Sequence, residues 1–311
     1  MCMKNHFKHE HIDIFLVYGL SLFLIIILSS IHGISVLQSS KKVLIPEKKI
    51  VQSPVLYDTS VFDDIAIEGK AYVVYDIVTE KIIASKNETA VLPLASITKV
   101  MTAVSAALHV PKDTKLTILS KNIDGKYDLG LQNKQVWSLS ELLKYTLLFS
   151  SNDGAETIAD TLGGRGAFIR QMNDDALLLG LNLSFTDPAG LDRNGTIGGQ
   201  GTALDAARLF SIARKNIPEI LDVTTRKRQT MRASTGSVSG IPNTNQDIEN
   251  FSGAEASKTG YTEMAGGNLG VIVDISIGHP VVIVVLGSSR EGRFRDMHIL
   301  YTALSKSVRA K

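Results

Sequence analysis

The chain has almost no cysteine: one residue in 311, Cys2, which precedes every stretch that looks folded. A single cysteine excludes an intrachain disulfide framework and any metal site built on several thiolates. Charge of one sign is not in excess either, since 33 basic residues face 31 acidic ones and the net charge is +2. Without a dense basic stripe we expect no nucleic-acid binding. A globular part without cysteine is compatible with an oxidising compartment, although it does not require one.

Short motifs of several other enzyme classes are also missing. Residues 236–240 read Gly-Ser-Val-Ser-Gly, with valine at the centre where a nucleophile elbow has serine. Neither a His-Glu-x-x-His zinc motif nor a phosphate-binding glycine loop occurs. His109, His279 and His298 are scattered along the chain, and we interpret them as structural or exposed residues. We therefore expect no metal site and no cofactor.

The N-terminal part divides by composition. Residues 1–13 are a polar tail, and 14–34 are a predicted transmembrane signal-anchor centred on 14–31, eighteen residues without a charge. A cleaved signal peptide is the alternative, but its apolar core is usually shorter and no A-x-A-like cleavage site follows. Residues 35–62 contain paired lysines and two prolines, which predicts a linker. The globular domain is then expected over 63–311.

Apolar patterns in this domain predict two early strands, a helical middle, three late strands and a closing helix. The predicted strands are 70–75, 81–86, 253–258, 267–276 and 280–287. Ser138, Asp153 and Thr202 are the predicted caps of helices in the middle, and the closing helix is predicted over 294–308. The predicted fold class is α/β (α+β): an antiparallel five-stranded sheet flanked by helices, with an inserted helical lobe.

One short stretch brings a possible nucleophile beside a possible base. Residues 93–99 read Pro-Leu-Ala-Ser-Ile-Thr-Lys, and apolar residues every four positions predict a helix from about Ser96 that ends before Pro111. Ser96 and Lys99 then lie one turn apart on the same face. A serine becomes a nucleophile when a base takes its proton, and a neutral lysine is such a base. Alone, this spacing is more often a helix cap followed by a solvated lysine.

Two later stretches change that interpretation. Ser150 and Asn152 lie in a break between two predicted helices, and Lys258-Thr259-Gly260 ends a predicted late strand. Each motif alone is a common turn or strand end. A helix start, an interhelical loop and a sheet edge can nevertheless face one cleft, where they supply the groups that an acyl transfer needs. The combination predicts a serine hydrolase with a lysine base.

The set Ser-x-x-Lys, Ser-x-Asn, Lys-Thr-Gly resembles that of the penicillin-binding proteins and serine β-lactamases. Segments 93–102, 149–155, 187–191 and 258–262 look like the low-molecular-mass D-alanyl-D-alanine carboxypeptidases, and the resemblance spans about 63–308. It implies a serine β-lactamase/transpeptidase-like fold, with the globular domain as the catalytic domain. It also implies a penicillin-sensitive serine carboxypeptidase that removes the terminal D-alanine from peptidoglycan stem peptides, with β-lactam antibiotics as inhibitors.

The resemblance implies a role for each catalytic motif residue. Ser96 would attack the carbonyl carbon of the penultimate D-alanine, and Lys99 would be the base that takes its proton. Ser150 would relay a proton to the leaving amine, while Asn152 would orient Lys99 and hold the substrate amide. Lys258, a second cation nearby, would lower the pKa of Lys99.

The resemblance likewise implies how the substrate is bound. The implied substrate-binding residues are Lys258, Thr259, Gly260, Tyr261 and Arg293. Strand 257–261 would pair with the extended peptide, and the backbone N–H groups of Ser96 and Tyr261 would form the oxyanion hole. Arg293 would hold the terminal carboxylate, with Arg290 as the alternative, because a guanidinium binds a carboxylate through two hydrogen bonds.

Three other functions stay open at this stage. One is a β-lactamase, although the Glu-x-x-Leu-Asn segment that drives deacylation in class A enzymes is missing from the sequence. Multiple rapid turnovers of nitrocefin would favour a β-lactamase, and a stoichiometric burst would favour the carboxypeptidase. A D,D-endopeptidase shares the acyl-enzyme and the motifs. A catalytically silent wall-binding module is disfavoured because every motif residue is present.

The membrane topology follows from two opposing signals. The lysines beyond the anchor outnumber those before it: Lys41, Lys42, Lys48 and Lys49 against Lys4 and Lys8. The positive-inside rule alone would therefore keep the domain in the cytoplasm, but large domains translocate despite flanking charge. Because peptidoglycan lies outside the cell membrane, we expect a single-pass protein with an extracytoplasmic catalytic domain.

A reporter fused after Lys311 tests this topology. We expect activity from a reporter that works only outside the cytoplasm, because residues 14–31 would hold the chain in the membrane with its C-terminal end outside. The measurement compares that fusion with one to a reporter that works only inside cells. Activity confined to the cytoplasmic reporter would contradict the predicted topology.

Overall fold

The computed structural model describes residues 55–123 and 130–309. The predicted tail, the predicted anchor and most of the predicted linker lie outside the described residues. Within the described ranges, no helix is both long enough and apolar enough to cross a membrane.

Twelve strands and seven helices are named here in chain order. The strands are β1 Ala71–Asp76, β2 Lys81–Lys86, β3 Leu92–Pro93, β4 Lys115–Thr117, β5 Val136–Ser138, β6 Leu183–Phe185, β7 Gly199–Gly201, β8 Arg228–Ala233, β9 Gly236–Pro242, β10 Ala254–Thr262, β11 Gly266–Asp274 and β12 Pro280–Ser288. The helices are α1 Thr98–His109, α2 Leu139–Leu148, α3 Asn152–Thr161, α4 Arg165–Leu178, α5 Ala203–Asn216, α6 Pro218–Leu221 and α7 Gly292–Ser307.

The main sheet has the strand order β10-β11-β12-β1-β2, and its pairings are antiparallel. Its middle strand β12 pairs with the neighbouring strand β1 in the register Val73↔Val284. Every residue of β1 is buried, and so is nearly every residue of β12. The continuous apolar run of β12 predicts this burial, because a strand that is covered on both faces is apolar on both. The predicted five-stranded antiparallel sheet and its mixed fold class are confirmed.

Each face of the sheet packs against helices. On one face, Val284 of β12 joins a core that includes Val104 of α1 and Phe210 of α5. On the other face, Val285 packs with Met297 and Leu300 of α7. The helices α2, α3 and α4 form the predicted lobe between the early and late strands. The sheet is therefore the middle layer, and its β10 edge is left beside the lobe.

The predicted N-terminal caps are confirmed at two of the three helices. Ser138 Oγ accepts the Glu141 N–H at 3.2 Å, and Thr202 Oγ1 accepts the Asp205 N–H at 3.0 Å. The cap of α3 is Ser151 instead of Asp153, since Ser151 Oγ accepts the Gly154 N–H at 2.8 Å. Asp153 was the wrong choice because the helix already begins at Asn152, which places the aspartate inside the first turn.

Two other boundaries differ from the prediction, and one hairpin is new. Packing against the domain begins before residue 63, since the Asp58 N–H donates to Ser307 O at 2.7 Å. Strand β10 is longer than 253–258 because it continues through the glycine and tyrosine that follow its lysine. The hairpin of β8 and β9 was not predicted, since its side chains are mostly exposed and polar and show no apolar alternation.

Gly270 of β11 tests how tightly the sheet packs on α5. A Cβ atom at this position would lie 2.3 Å from the Phe210 ring, so Gly270→Ala forces the ring or the strand to move. We expect the free energy of unfolding to fall by about 1–3 kcal/mol. Urea denaturation followed by circular dichroism measures this change.

Gly166→Ala is the matched control, because Gly166 is exposed in the first turn of α4 and its nearest atom would be Arg170 Nη1 at 3.8 Å. We expect this variant to be neutral or stabilised by up to about 1 kcal/mol, since alanine favours helix. Equal effects from the two substitutions would contradict close packing at Gly270.

Candidate active site

Ser96 lies in a short 3-10 turn, Ala95–Ile97, that leads directly into α1. The predicted helix start is therefore right, with one tight turn before the regular helix. Ala95 adopts a left-handed conformation with φ 48°, and Gly190 packs against its carbonyl group. A Cβ atom on Gly190 would lie 2.0 Å from Ala95 O, and its φ of 77° also favours glycine. This close approach brings the loop 187–191 next to the nucleophile.

Lys99 is fully buried one turn beyond Ser96 and is surrounded by oxygen acceptors. Its Nζ atom lies 2.8 Å from Ser96 Oγ, 2.8 Å from Asn152 Oδ1 and 2.8 Å from Ala189 O. The three acceptors come from the start of α1, the start of α3 and the loop 187–191. A proton can pass directly between Ser96 Oγ and Lys99 Nζ at this distance, as a general base requires.

Ser150 and Lys258 form a second pair on the other side of the nucleophile. Lys258 Nζ donates to Ser150 Oγ at 2.8 Å and to Thr259 O at 2.9 Å. Ser150 lies in the break between α2 and α3 and has a positive φ of 62°, which is uncommon for a residue with a side chain. This strained conformation presents its hydroxyl group toward β10. The start of α1 thus contributes one hydroxyl–amine pair, and the break between α2 and α3 contributes the second together with β10.

Burial and the neighbouring positive charges change the pKa of Lys258. Burial, followed by the nearby positive charges of Lys99 and Arg293, holds the pKa of Lys258 well below its usual value. A lysine with a lowered pKa gives up its proton more readily near neutral pH. The sequence predicts the reverse assignment, with Lys258 acting on the pKa of Lys99, and that effect stays a prediction.

A cleft of about 490 Å³ opens above these pairs. Its lining contains Ser96, Phe149, Ser150, Asn152, Leu191, Thr244, Thr259, Gly260, Tyr261, Thr262, Glu263, Arg290 and Arg293. Lys99 and Lys258 are buried next to lining residues to which they are hydrogen-bonded. The structure therefore brings all nine predicted site residues together at one location.

Strand β10 forms one wall of the cleft and is the edge strand of the sheet. Its pairing runs through Thr259↔Leu269 and Tyr261↔Gly267 on β11, and no strand of the described part of the chain pairs with its other side. An edge strand can accept an extended peptide as an additional strand. The geometry is therefore suited to a linear peptide substrate lying along Thr259 and Tyr261.

The two arginines of the cleft differ in their surroundings. Arg293 is buried, and its Nη1 donates to Gly260 O at 2.7 Å. Its Nε is buried without a hydrogen-bond partner among the described residues. Burial lowers the pKa of Arg293 to about 10, so it stays positively charged at neutral pH. Arg290 is exposed and stacks on the Tyr261 ring at 4.6 Å. Arg293 is thus the buried and anchored cation of the two.

Several cleft residues were not predicted from the sequence. Thr259 Oγ1 donates to Thr244 Oγ1 at 2.6 Å, and the Thr244 N–H donates to Leu148 O at 3.1 Å. Thr244 follows the β8–β9 hairpin, so no local pattern indicated its position. The Ala189 carbonyl was also missed, although its segment 187–191 was singled out, because a backbone acceptor has no residue signature.

The histidines lie outside the cleft. His279 is buried and pairs with Asp76 at 2.8 Å, and His109 pairs with Asp175 at 2.8 Å. His298 lies 3.5 Å from Asp247 and stacks on Phe251. Each one therefore has a structural partner, as the sequence interpretation proposed. Within 55–123 and 130–309, no group of three or more potential ligand side chains is placed to hold a metal ion.

Known proteins resemble this chain in both sequence and structure. The Peptidase_S11 family model, described as D-alanyl-D-alanine carboxypeptidase, matches residues 58–290. The D-alanyl-D-alanine endopeptidase of Escherichia coli (strain K12) is 33% identical over 70% of this chain and 70% of its own length. The D-alanyl-D-alanine carboxypeptidase DacB2 of Mycobacterium tuberculosis is 29% identical over 63% of this chain and 67% of its own.

A solved structure shows the same architecture. Penicillin-binding protein D2 from Listeria monocytogenes, in its cefotaxime-bound form, superposes with a TM-score of 0.67 at 28% sequence identity. The superposition covers 77% of this chain and 98% of that protein. The β-lactamase/transpeptidase-like fold implied by the motifs is therefore confirmed.

Replacing Lys258 tests whether burial of this amine lowers the stability of the fold. Between its lowered folded pKa and an unfolded value of about 10.4, the unfolded chain binds a proton that the folded chain releases. Stability from this group therefore rises with pH in that window, and burying Lys258 destabilises the fold at neutral pH. We expect Lys258→Met to raise the free energy of unfolding at pH 7 by about 0.5–2 kcal/mol.

This gain should shrink toward pH 10, and labelling by a fluorescent penicillin should be lost. Thermal denaturation at several pH values measures the first effect. Lys306→Met, in the exposed last turn of α7, is the control and should leave the pH dependence unchanged. If Lys258→Met instead lost stability, and by the same amount across this pH range, the claim that buried Lys258 destabilises the fold at neutral pH would be contradicted.

Proposed function

The chain belongs to the Peptidase_S11 family of D-alanyl-D-alanine carboxypeptidases, and from this premise we propose that it removes the terminal D-alanine of peptidoglycan stem peptides through an acyl-enzyme on Ser96. The observation that carries the proposal is the 2.8 Å contact between Lys99 Nζ and Ser96 Oγ beside the free edge of β10. The proposed function therefore makes the protein a serine hydrolase that acts on the cell wall.

Acylation begins with the removal of the Ser96 proton by neutral Lys99. Ser96 Oγ forms a bond to the carbonyl carbon of the penultimate D-alanine, and the peptide C–N bond breaks after the tetrahedral intermediate. The leaving amine takes a proton from Ser150, which Lys258 replenishes across the 2.8 Å contact between them. Water then attacks the ester carbonyl carbon, and its proton passes through Ser150 to Lys258, which acylation left neutral. The ester C–O bond breaks, protonated Lys99 returns a proton to Ser96 Oγ, and the shortened peptide leaves.

The negative charge of the tetrahedral intermediate requires hydrogen-bond donors. The N–H groups of Ser96 and Tyr261 are the proposed donors, since Gly260 lies close to the nucleophile turn. A Cβ atom on Gly260 would lie 3.1 Å from Ser96 N, so the backbone of β10 packs closely against the backbone of the nucleophile turn. Each such donor is often worth about 3 kcal/mol of transition-state stabilisation.

The terminal carboxylate of the substrate needs a cation at the far end of the cleft. We assign this role to Arg293, which is anchored to Gly260 O and retains a free buried Nε donor among the described residues. Thr259 supplies a hydroxyl group on the same wall, and Thr244 holds that hydroxyl at 2.6 Å. Arg290 is the less suitable cation because it is exposed on the Tyr261 ring.

β-Lactam antibiotics are the proposed inhibitors, because their acyl-enzyme would form on the same serine. Penicillin-binding protein D2 has been solved with cefotaxime and with ampicillin, and it shares this architecture. A D,D-endopeptidase is the second candidate activity. The Escherichia coli and Pseudomonas aeruginosa relatives named D-alanyl-D-alanine endopeptidase are 33% and 32% identical to the chain, which favours testing cross-linked substrates as well.

Attachment to the cell membrane through residues 14–31 is a further part of the proposal. These eighteen uncharged residues support it, and so does a substrate that lies outside the membrane. The catalytic domain would then be extracytoplasmic, on a single-pass anchor. The reporter fusion after Lys311 is the test of this arrangement.

The carboxypeptidase activity is tested with a peptide that ends in D-Ala-D-Ala. We expect release of free D-alanine that is blocked by prior incubation with penicillin, because both would compete for Ser96. A coupled D-amino acid oxidase assay measures the release, and a peptide ending in L-Ala-D-Ala, whose cleavage would also release D-alanine, is the control. A parallel reaction with a cross-linked muropeptide dimer measures endopeptidase activity. If the protein turned over neither of these substrates, the proposed function would be contradicted.

A further inference from the structure

A ring of four charged side chains joins two of the elements that contact Lys99, and three of its four members lie outside the segments singled out from the sequence. It consists of Glu156 on α3, Arg165 on α4, and Asp187 and Arg193 on the loop after β6, and we name it the charged ring. Each arginine contacts both carboxylates. Arg165 lies 3.1 Å from Glu156 and 2.6 Å from Asp187, and Arg193 lies 2.8 Å and 2.6 Å from the same two groups.

One carboxylate of the charged ring organises the loop that contacts Lys99. Asp187 Oδ1 accepts the N–H groups of Ala189 at 2.8 Å and Leu191 at 3.1 Å. This double hydrogen bond fixes the backbone between them, and Ala189 O is one of the acceptors of Lys99 Nζ. Asp187 is buried, yet the hydrogen bonds from Arg193 and the loop outweigh its burial and lower its pKa.

The other carboxylate of the charged ring stands on the helix that carries another acceptor of Lys99. Glu156 lies four residues after Asn152, so the two side chains share one face of α3. Asn152 Oδ1 lies 2.8 Å from Lys99 Nζ. The two arginines therefore tie the element that carries Asn152 to the element that carries Ala189.

We propose that the charged ring is a positioning device for the general base, which sets the separation of two of the three acceptors of Lys99 Nζ, namely Asn152 Oδ1 and Ala189 O. The inference rests on the proposed function, since it assigns the ring an effect on the acylation step. Exposed ion pairs contribute little to stability, and a buried ion pair replaced as a whole by well-packed apolar residues often costs no stability. Fixing the register of the loop against α3 is a role that apolar residues would not fulfil.

The test compares Glu156→Gln with the wild-type protein in acylation by penicillin. The dependence of the rate on penicillin concentration separates the limiting acylation rate from the noncovalent dissociation constant. We expect the limiting rate to fall about tenfold, because small displacements of a base reduce catalysis strongly. The dissociation constant should change less than twofold, since no ring residue lines the cleft. Glu156→Asp, which restores the charge, should recover part of the rate.

Asp160→Asn is the matched control, because Asp160 lies on the same helix and pairs with Lys121 at 2.7 Å. It should keep the wild-type acylation rate at a similar melting temperature. If Glu156→Gln does not fold, Arg193→Gln carries the same test from an exposed position. An unchanged limiting rate, or a loss that Asp160→Asn shares, would overturn the positioning role. A wild-type protein that penicillin does not acylate would overturn the proposed function, and the ring's role with it.

Discussion

A buried lysine must find its hydrogen-bond partners inside the protein, and Lys99 finds acceptors in three separate parts of the chain. Ser96 Oγ comes from the start of α1, Asn152 Oδ1 from the start of α3 and Ala189 O from the loop after β6, each at 2.8 Å. An amine without these partners would destabilise the fold by several kcal/mol. The lobe, the first helix and the loop must therefore converge on one atom, and this convergence also brings the nucleophile to its base.

The second constraint is the positive charge concentrated at the site. Burial, and then the neighbouring Lys99 and Arg293, hold the pKa of Lys258 well below its usual value. Like charges held together in a buried place destabilise the fold, but they attract an anion from solution and stabilise one that forms during a reaction. A peptide with a free terminal carboxylate, bound along the edge of β10, supplies the first anion. The tetrahedral intermediate on Ser96 supplies the second.

Patterns within one element were sufficient to predict much of this architecture. Helical spacing placed Ser96 beside Lys99, and apolar patterns, two of them β-branched runs, predicted the five strands of the main sheet. Groups defined only by tertiary contact escaped prediction. Ala189 contributes a backbone carbonyl, and Thr244 follows a hairpin whose exposed polar strands give no apolar alternation. The cap of α3 was misplaced because Ser151 and Asp153 are both good caps, and only the packing of the first turn distinguishes them. The charged ring was missed because its pairs join residues up to 37 positions apart, on three elements.

The central claim is that Ser96 becomes covalently acylated. Intact-protein mass spectrometry after exposure to benzylpenicillin measures this most directly, with proteolytic mapping of the modified peptide. The account predicts a mass gain of one drug molecule per chain, located on the peptide that contains Ser96 and absent from Ser96→Ala. An adduct on a different residue, or one that persists in Ser96→Ala, would contradict it.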